Sequence, residues 1–260
     1  MLAFAANHLV RLFLEPVCCA CSTPLDRPLA GPVCDACWRA VPRLTPPWCD
    51  RCGDVIASPE REGSPESPAS PTVLICARCL HTRPVLSIAR SAGRYDGSLR
   101  RIIHAFKYDG HRALAAPLAR LVREAGADVL AGADAVVPVP LHPWRALRRG
   151  FNQADDLARH LGLPVFRALR RVGRGPPQAG LSASNRHLNV QHAFALSRQG
   201  RRVLRESRNN SPPRPLTLVL IDDVMTTGET MEGCGKVLAE AGVSCVRGLT
   251  IARAVARRHR

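Results

Sequence analysis

Apolar and polar positions alternate between two periods along this chain. Leu218–Ile221 is a short run of apolar, mostly branched residues, read as a buried parallel strand. Met231, Cys234, Val237, Leu238 and Ala241 then recur at helix spacing. The same helical stripe is seen in Leu99, Ile102, Ile103 and Phe106, after a turn at Tyr95-Asp96-Gly97. It returns in Leu114, Leu118, Leu121 and Val122, after a break at Lys107-Tyr108-Asp109-Gly110. Ala135–Val139 predicts a strand, Trp144–Asn152 a loop, and Ala154–Leu161 a helix ended by Gly162. Val165–Val172 and Val243–Ala252 are further strand candidates. Ser58–Thr72, rich in Pro, Ser and Glu, predicts a flexible loop. Gly173–Asn189 predicts a long functional loop, and Arg201–Pro215 a basic linker ending in proline. Met1–Pro16 predicts a short amphipathic helix, not a secretory leader, because it lacks a basic start and a small-residue cleavage site.

Charge divides the chain. Residues 1–82 carry seven Arg against eight acids, a net of −1; the remainder carries thirty basic against thirteen acidic residues, a net of +17. Lys107 and Lys236 are the only lysines, so this field is arginine, the side chain suited to bidentate phosphate contacts. It would attract polyanions, diphosphate or nucleic acid. No apolar run reaches the roughly 18 residues that span a bilayer, so no membrane span is expected.

Eight of the eleven cysteines form four Cys-x-x-Cys pairs: Cys18/Cys21, Cys34/Cys37, Cys49/Cys52 and Cys76/Cys79. Such pairs suit tetrahedral thiolate coordination of zinc. A disulfide framework is the rival, but no secretion signal accompanies it; redox chemistry would explain one pair, not four. The simplest arrangement is two Zn²⁺ ions, each held by consecutive pairs. Four thiolates leave no open position, which makes the zinc structural. Cys234 and Cys245 predict packing residues. These readings divide the chain into a cysteine-rich domain at 1–84 and a second domain at 85–260.

The strand at 218–221 runs into Asp222 and Asp223, then Thr226, Thr227, Gly228 and Thr230, then a helix. A turn at a helix amino terminus offers free N–H groups and the positive end of the dipole to a phosphate. Carboxylates just before it can take ribose hydroxyls, the division of labour of dinucleotide sites. The plain alternative is a capped βα turn with two solvated acids.

Leu218 through Thr230 closely resembles the 5-phosphoribosyl-1-diphosphate (PRPP) signature of type I phosphoribosyltransferases. The resemblance implies an α/β fold, a central parallel sheet flanked by helices, behind the small zinc-ribbon domain. It implies that Asp222 and Asp223 hold the ribose hydroxyls and that Thr226, Thr227, Gly228 and Thr230 hold the 5′-phosphate. Arg145, Arg148 and Arg149 follow a strand where the family has its diphosphate-binding loop, and three arginines there can neutralise a leaving diphosphate. Arg186 is the candidate from the long loop that closes over PRPP, and Mg²⁺ accompanies the diphosphate.

Taken whole, the chain resembles the ComF family. The matching pieces are the cysteine pairs, Tyr95-Asp96-Gly97, the Lys107 segment, Val137-Pro138-Val139-Pro140-Leu141, Arg149-Gly150-Phe151-Asn152-Gln153-Ala154, Arg186 with Asn189-Val190 and Ala193-Phe194, and the PRPP signature. The resemblance implies a cytoplasmic phosphoribosyltransferase acting on an unidentified acceptor. The alternative it leaves open is a non-catalytic component of DNA uptake that binds PRPP and single-stranded DNA beside other competence proteins. No stretch reads as a base-recognition pocket, and oligomeric state is not written in the sequence.

Overall fold

A computed structural model describes residues 7, 10, 14–56, 73–82, 84–172, 193–209 and 215–254. Among its described residues the cysteine-rich part includes the short helices α1 (Asp35–Arg39) and α2 (Ala77–Thr82). The rest runs β1 (Ala89–Arg94), α3 (Gly97–Tyr108), α4 (Ala115–Ala125), α5 (Ala127–Leu130) and β2 (Ala135–Pro138). It continues through α6 (Pro143–Arg149), α7 (Gln153–Ala158), β3 (Leu169–Arg171), β4 (Phe194–Leu196) and α8 (Arg198–Asn209). It ends with β5 (Thr217–Met225), α9 (Glu229–Glu240) and β6 (Cys245–Arg253). Strands β1, β6, β5 and β2 lie side by side in that order, all parallel. β3 and β4 form a separate antiparallel pair.

The alternation of a strand assigns each face of the sheet its own core. Val219 and Ile221 of β5 point into a cluster with Leu99, Ile102 and Phe106 of α3, Leu118 of α4 and Leu157 of α7. Leu218 and Leu220 point the other way, among Met231, Cys234 and Leu238 of α9 and Leu204 of α8. The Asp96 carboxylate accepts from the Gly97 N–H at the start of α3, and the helix stops at Asp109, before a left-handed Gly110.

Several segments differ from the pattern-based reading. β1, Ala-Arg-Ser-Ala-Gly-Arg, has no branched apolar run; it is a strand because β6 pairs with it along one side. On its other side lies the cysteine-rich part. Arg94 N donates to Pro42 O at 2.7 Å and Ala89 N to Arg51 O at 2.6 Å, so the strand's open edge is covered. Gly93 permits that approach, since a Cβ there would sit 2.8 Å from Pro42 O. Trp144–Asn152 is not a loop but mostly α6. Pro143 opens it, His142 Nδ1 accepts from Trp144 N, and left-handed Gly150 ends it. Trp144 there is 60% exposed.

Most of the expected basic linker is helix α8. Good helix formers outweigh its single Gly200, Leu204 turns inward, and Pro212, Pro213 and Pro215 all come after its end in the sequence. The Val165–Val172 candidate contracts to Leu169–Arg171, with Val165 making one bridge to Val136. Arg186 and the rest of 173–192 lie outside the described residues, as do 57–72 and most of the expected first helix.

The cysteine-rich part is bound into the sheet. Cys18, Ala20, Leu25, Val33, Cys37 and Val41 belong to the same buried cluster as α3. Arg253, at the end of β6, is 2% exposed and reaches Asp54 Oδ1 at 3.1 Å. Arg90 of β1 donates to Asp50 O and lies over the Trp48 ring. No helix among the described residues is long and apolar enough to cross a membrane.

Candidate functional site: two cysteine clusters and the mouth of the sheet

All eleven cysteines are free thiols. Cys18, Cys21, Cys34 and Cys37 form one group and Cys49, Cys52, Cys76 and Cys79 another, with the sulfurs of each group within 4.8 Å of one another. A zinc ion with Zn–S bonds of about 2.3 Å needs sulfurs about 3.8 Å apart. Cys21 and Cys34 are 3.7 Å apart, as are Cys52 and Cys76. Backbone N–H groups of Ala20 and Cys34 point at Cys18 Sγ, and that of Cys76 at Cys49 Sγ. Such donors support thiolate ligands. Each group therefore fits a structural zinc ion, paired as the consecutive motifs suggest. The length of chain between Cys52 and Cys76 does not prevent the second group from closing. Cys19, the spare cysteine, is held apart: burial, then the neighbouring Cys18, pushes its thiol up to about 11.

At the carboxyl end of the sheet, β5 continues past the apolar run to Met225, so the acid pair lies within the strand. Neighbouring residues of a strand face opposite ways, and the two acids accordingly have different surroundings. Asp223 lies on the α3 side, where Lys107 Nζ is 2.7 Å from its Oδ1; both side chains are only 12–13% exposed. Asp222 faces Cys234 of α9, Arg171 of β3 and Arg145 of α6. Its Oδ1 accepts the Asp223 N–H at 2.8 Å. Burial, and then the charge of Asp223, raises Asp222 to about 7, with Lys107 and Arg145 pulling it back. Burial and then Asp222 push the Cys234 thiol well up, so it remains a neutral packing group.

Beyond Met225, Thr226 and Thr227 are exposed, and Gly228 precedes α9 with φ +84°, a value that side-chain-bearing residues rarely adopt. Glu229 N lies 3.5 Å from Thr227 Oγ1, a long contact. Thr230 lies in the first turn of α9 and is partly buried. Strand, acids, turn and helix amino terminus are thus in the expected order.

The three arginines after β2 do not act as one group. Arg145 is exposed, and its charge is felt at Arg171 and Asp222. Arg148 is exposed. Arg149 turns to α3, donating to Tyr108 Oη at 2.8 Å and stacking on its ring, and it also reaches Gln153 Oε1. Three residues near the site had no role in the sequence reading. Lys107 could have been suspected as a cation ending an apolar stripe. Arg171 interrupts a strand candidate, and its ordinary reading is exposure; burial, then Arg145, lowers its pKa. Arg78, between Cys76 and Cys79, donates through Nη1 to Thr227 O.

Comparison with known proteins agrees with this architecture. Residues 132–260, from β2 onward, match the phosphoribosyl transferase domain family. Competence protein F of Haemophilus influenzae is 31% identical over 232 residues, covering 85% of this chain and 90% of that one. DNA utilization protein YhgH of Salmonella typhimurium is 31% identical over 91% of this chain and 96% of its own. Competence protein ComFC of Streptococcus pneumoniae is 24% identical over 78% and 87%. With two four-cysteine clusters in front of a parallel sheet of type I phosphoribosyltransferase fold, and relatives that match along nearly the whole length, the chain belongs to the ComF family.

Proposed function

We propose that the mouth of the sheet binds PRPP and that the protein transfers its phosphoribosyl group to an acceptor in the cytoplasm. The observation that carries this reading is the Asp222–Asp223–Lys107 constellation beside the turn that opens α9. Asp222 and Asp223 accept the ribose hydroxyls. The N–H groups and hydroxyls of Thr226, Thr227, Gly228 and Thr230 hold the 5′-phosphate. In the reaction the bond from C1 to the diphosphate oxygen breaks, and the diphosphate leaves with the electron pair. A bond from the acceptor's nucleophilic atom to C1 forms, and that atom's proton is lost. In this reading Arg145 favours the departing charge, with Arg148, Arg149 and Arg186 as further candidates. Lys107 already balances Asp223 and Asp222 is pushed toward neutrality, so these carboxylates are weak cation holders by themselves. Mg²⁺ in this reading comes with PRPP, held mainly by the substrate's own oxygens, and would screen the diphosphate when bound.

The test is incubation of labelled PRPP and Mg²⁺ with a panel of bases and amines. Diphosphate release with at least one is expected, and release with none counts against catalysis. Binding is tested separately with Asp222→Ala/Asp223→Ala. Charge-assisted hydrogen bonds are each worth about 1.5–3 kcal/mol, so PRPP affinity should fall at least tenfold; parent-like binding refutes the site.

A second reading is supported by α8. Arg198, Arg201, Arg202 and Arg205 line an open cleft of about 540 Å³ with Leu196 and Leu204. In this reading the protein binds PRPP and single-stranded DNA without catalysis, beside other competence proteins, as the names of its relatives suggest. With 4% aromatic residues, phosphate contacts would dominate over base stacking. Steeply salt-dependent binding is expected, and affinity no better than that of an average basic protein refutes it. PRPP titration with and without DNA shows whether the two share a surface.

A further inference from the structure

The second cysteine cluster and the phosphate turn are neighbours. A cavity of about 410 Å³ lies between them, lined by Arg51, Cys52, Arg78 and Cys79 on one side and Thr227 and Gly228 on the other. Arg78 spans it. It sits on α2 next to Cys79, between Cys76 and Cys79 in sequence, and lines the cavity together with Cys52 and Cys79. Its Nη1 donates to Thr227 O, across 149 residues of sequence. Just beyond α2, Val85 N donates to Glu232 Oε2 in the first turn of α9 at 2.8 Å, bracing the same junction.

A peptide unit is planar and trans, so its C=O and N–H point in opposite directions. Thr227 O and Gly228 N belong to one unit. When Arg78 grips the oxygen, the Gly228 N–H is directed away from the cysteine cluster. Gly228 is the residue with freedom to let this peptide rotate, because it lacks a Cβ and sits at φ +84°. An outside anchor is therefore needed to keep the turn in one form.

We propose that Arg78 is a positioning residue that fixes the 226–230 turn in its phosphate-receiving form only while the second cysteine cluster is assembled. Metal binding at Cys49, Cys52, Cys76 and Cys79 and PRPP binding at the turn are then coupled. The proposal rests on the PRPP reading for its ligand, and the coupling itself can be read without PRPP.

The experiment uses the full-length protein as parent, Arg78→Ala, Arg78→Lys, Cys76→Ser/Cys79→Ser, and the last combined with Arg78→Ala. Zinc content, Mg²⁺–PRPP affinity by calorimetry, and amide hydrogen exchange of residues 226–230 are measured. Arg78→Ala should retain the parent's zinc content yet bind PRPP about tenfold more weakly, the scale of one charge-assisted hydrogen bond. Its turn amides should exchange faster. Arg78→Lys should recover part of the loss. The cysteine variant should lose one zinc ion and a similar factor in affinity, and adding Arg78→Ala to it should cost little more. Parent-like PRPP binding by Arg78→Ala, or two losses that multiply in the combined variant, overturns the proposal. If the parent itself does not bind PRPP, the functional reading falls. Amide exchange then decides the coupling alone, and unchanged exchange of the turn in Arg78→Ala overturns it.

Discussion

Asp222→Asn should make the protein more stable and a poorer ligand binder. Asp222 sits between Asp223, Cys234, Arg145 and Arg171, with Lys107 beyond Asp223. Its carboxyl gives up its proton near pH 7 in the folded chain, against 3.8 ordinarily. The folded state thus holds the proton more tightly than the unfolded state. Below pH 3.8 both states are protonated and nothing is lost. Between 3.8 and 7 stability falls as pH rises, and above 7 the loss is complete. One pH unit is worth about 1.4 kcal/mol, so the charge costs up to about 4 kcal/mol at pH 8 and up to about 1.5 at pH 5. Asparagine keeps an oxygen to accept the Asp223 N–H, so the substitution removes charge and little else. Urea denaturation at the two pH values measures it. The variant should gain stability over the parent at both, with the gain larger at pH 8 by about 2 kcal/mol. A gain that is equal at both pH values, or a loss at pH 8, would refute the placement of Asp222 as a costly, poorly solvated charge.

Two other substitutions probe neighbouring features. Lys107→Met leaves Asp223 partly buried without its cation; it should destabilise the fold by about 3 kcal/mol at pH 8. The loss should shrink at pH 5, where Asp222 keeps its proton and no longer repels Asp223, and denaturation curves at both values check this. Cys19→Ser should leave the zinc content of the purified protein unchanged, because that thiol stands outside both clusters and is protonated well above pH 8; loss of an equivalent of zinc would place it among the ligands.

What could be read from sequence was whatever the local pattern determines. The β5 run, the α3 and α4 stripes and the spacing of the cysteine pairs each carry their physics within about a dozen residues, and the structure places them accordingly. β1 could not be read, because its strand conformation comes from β6, which lies more than 150 residues away in the chain. α6 and α8 were obscured by their arginines, which suggest a loop by charge although arginine is a good helix former. The acid pair was visible, but its difference in environment was not. That difference depends on Lys107, 116 residues from Asp223, and on Arg171 across the other face of the sheet. Arg78 was hidden for the same reason. Inside a Cys-x-x-Cys motif only the cysteines attract notice, and nothing local says that the intervening arginine reaches the turn.

The strand order has a consequence for how the molecule must assemble. β6 follows every other strand in the chain, yet it lies between β1 and β5. Until β6 is present, β1 has no partner in the sheet, and the apolar sides of α3 and α4 lack Leu249 and Ile251 to close against. The parallel pairing of β1 with β6 joins residues 89–94 to 248–253, the longest loop closure in the sheet and the slowest kind of contact to form. A ribosome-bound chain shorter than about residue 250 therefore carries both cysteine clusters but no complete sheet. The strand that is made last is thus the one that closes the sheet and the α3 side of the core together.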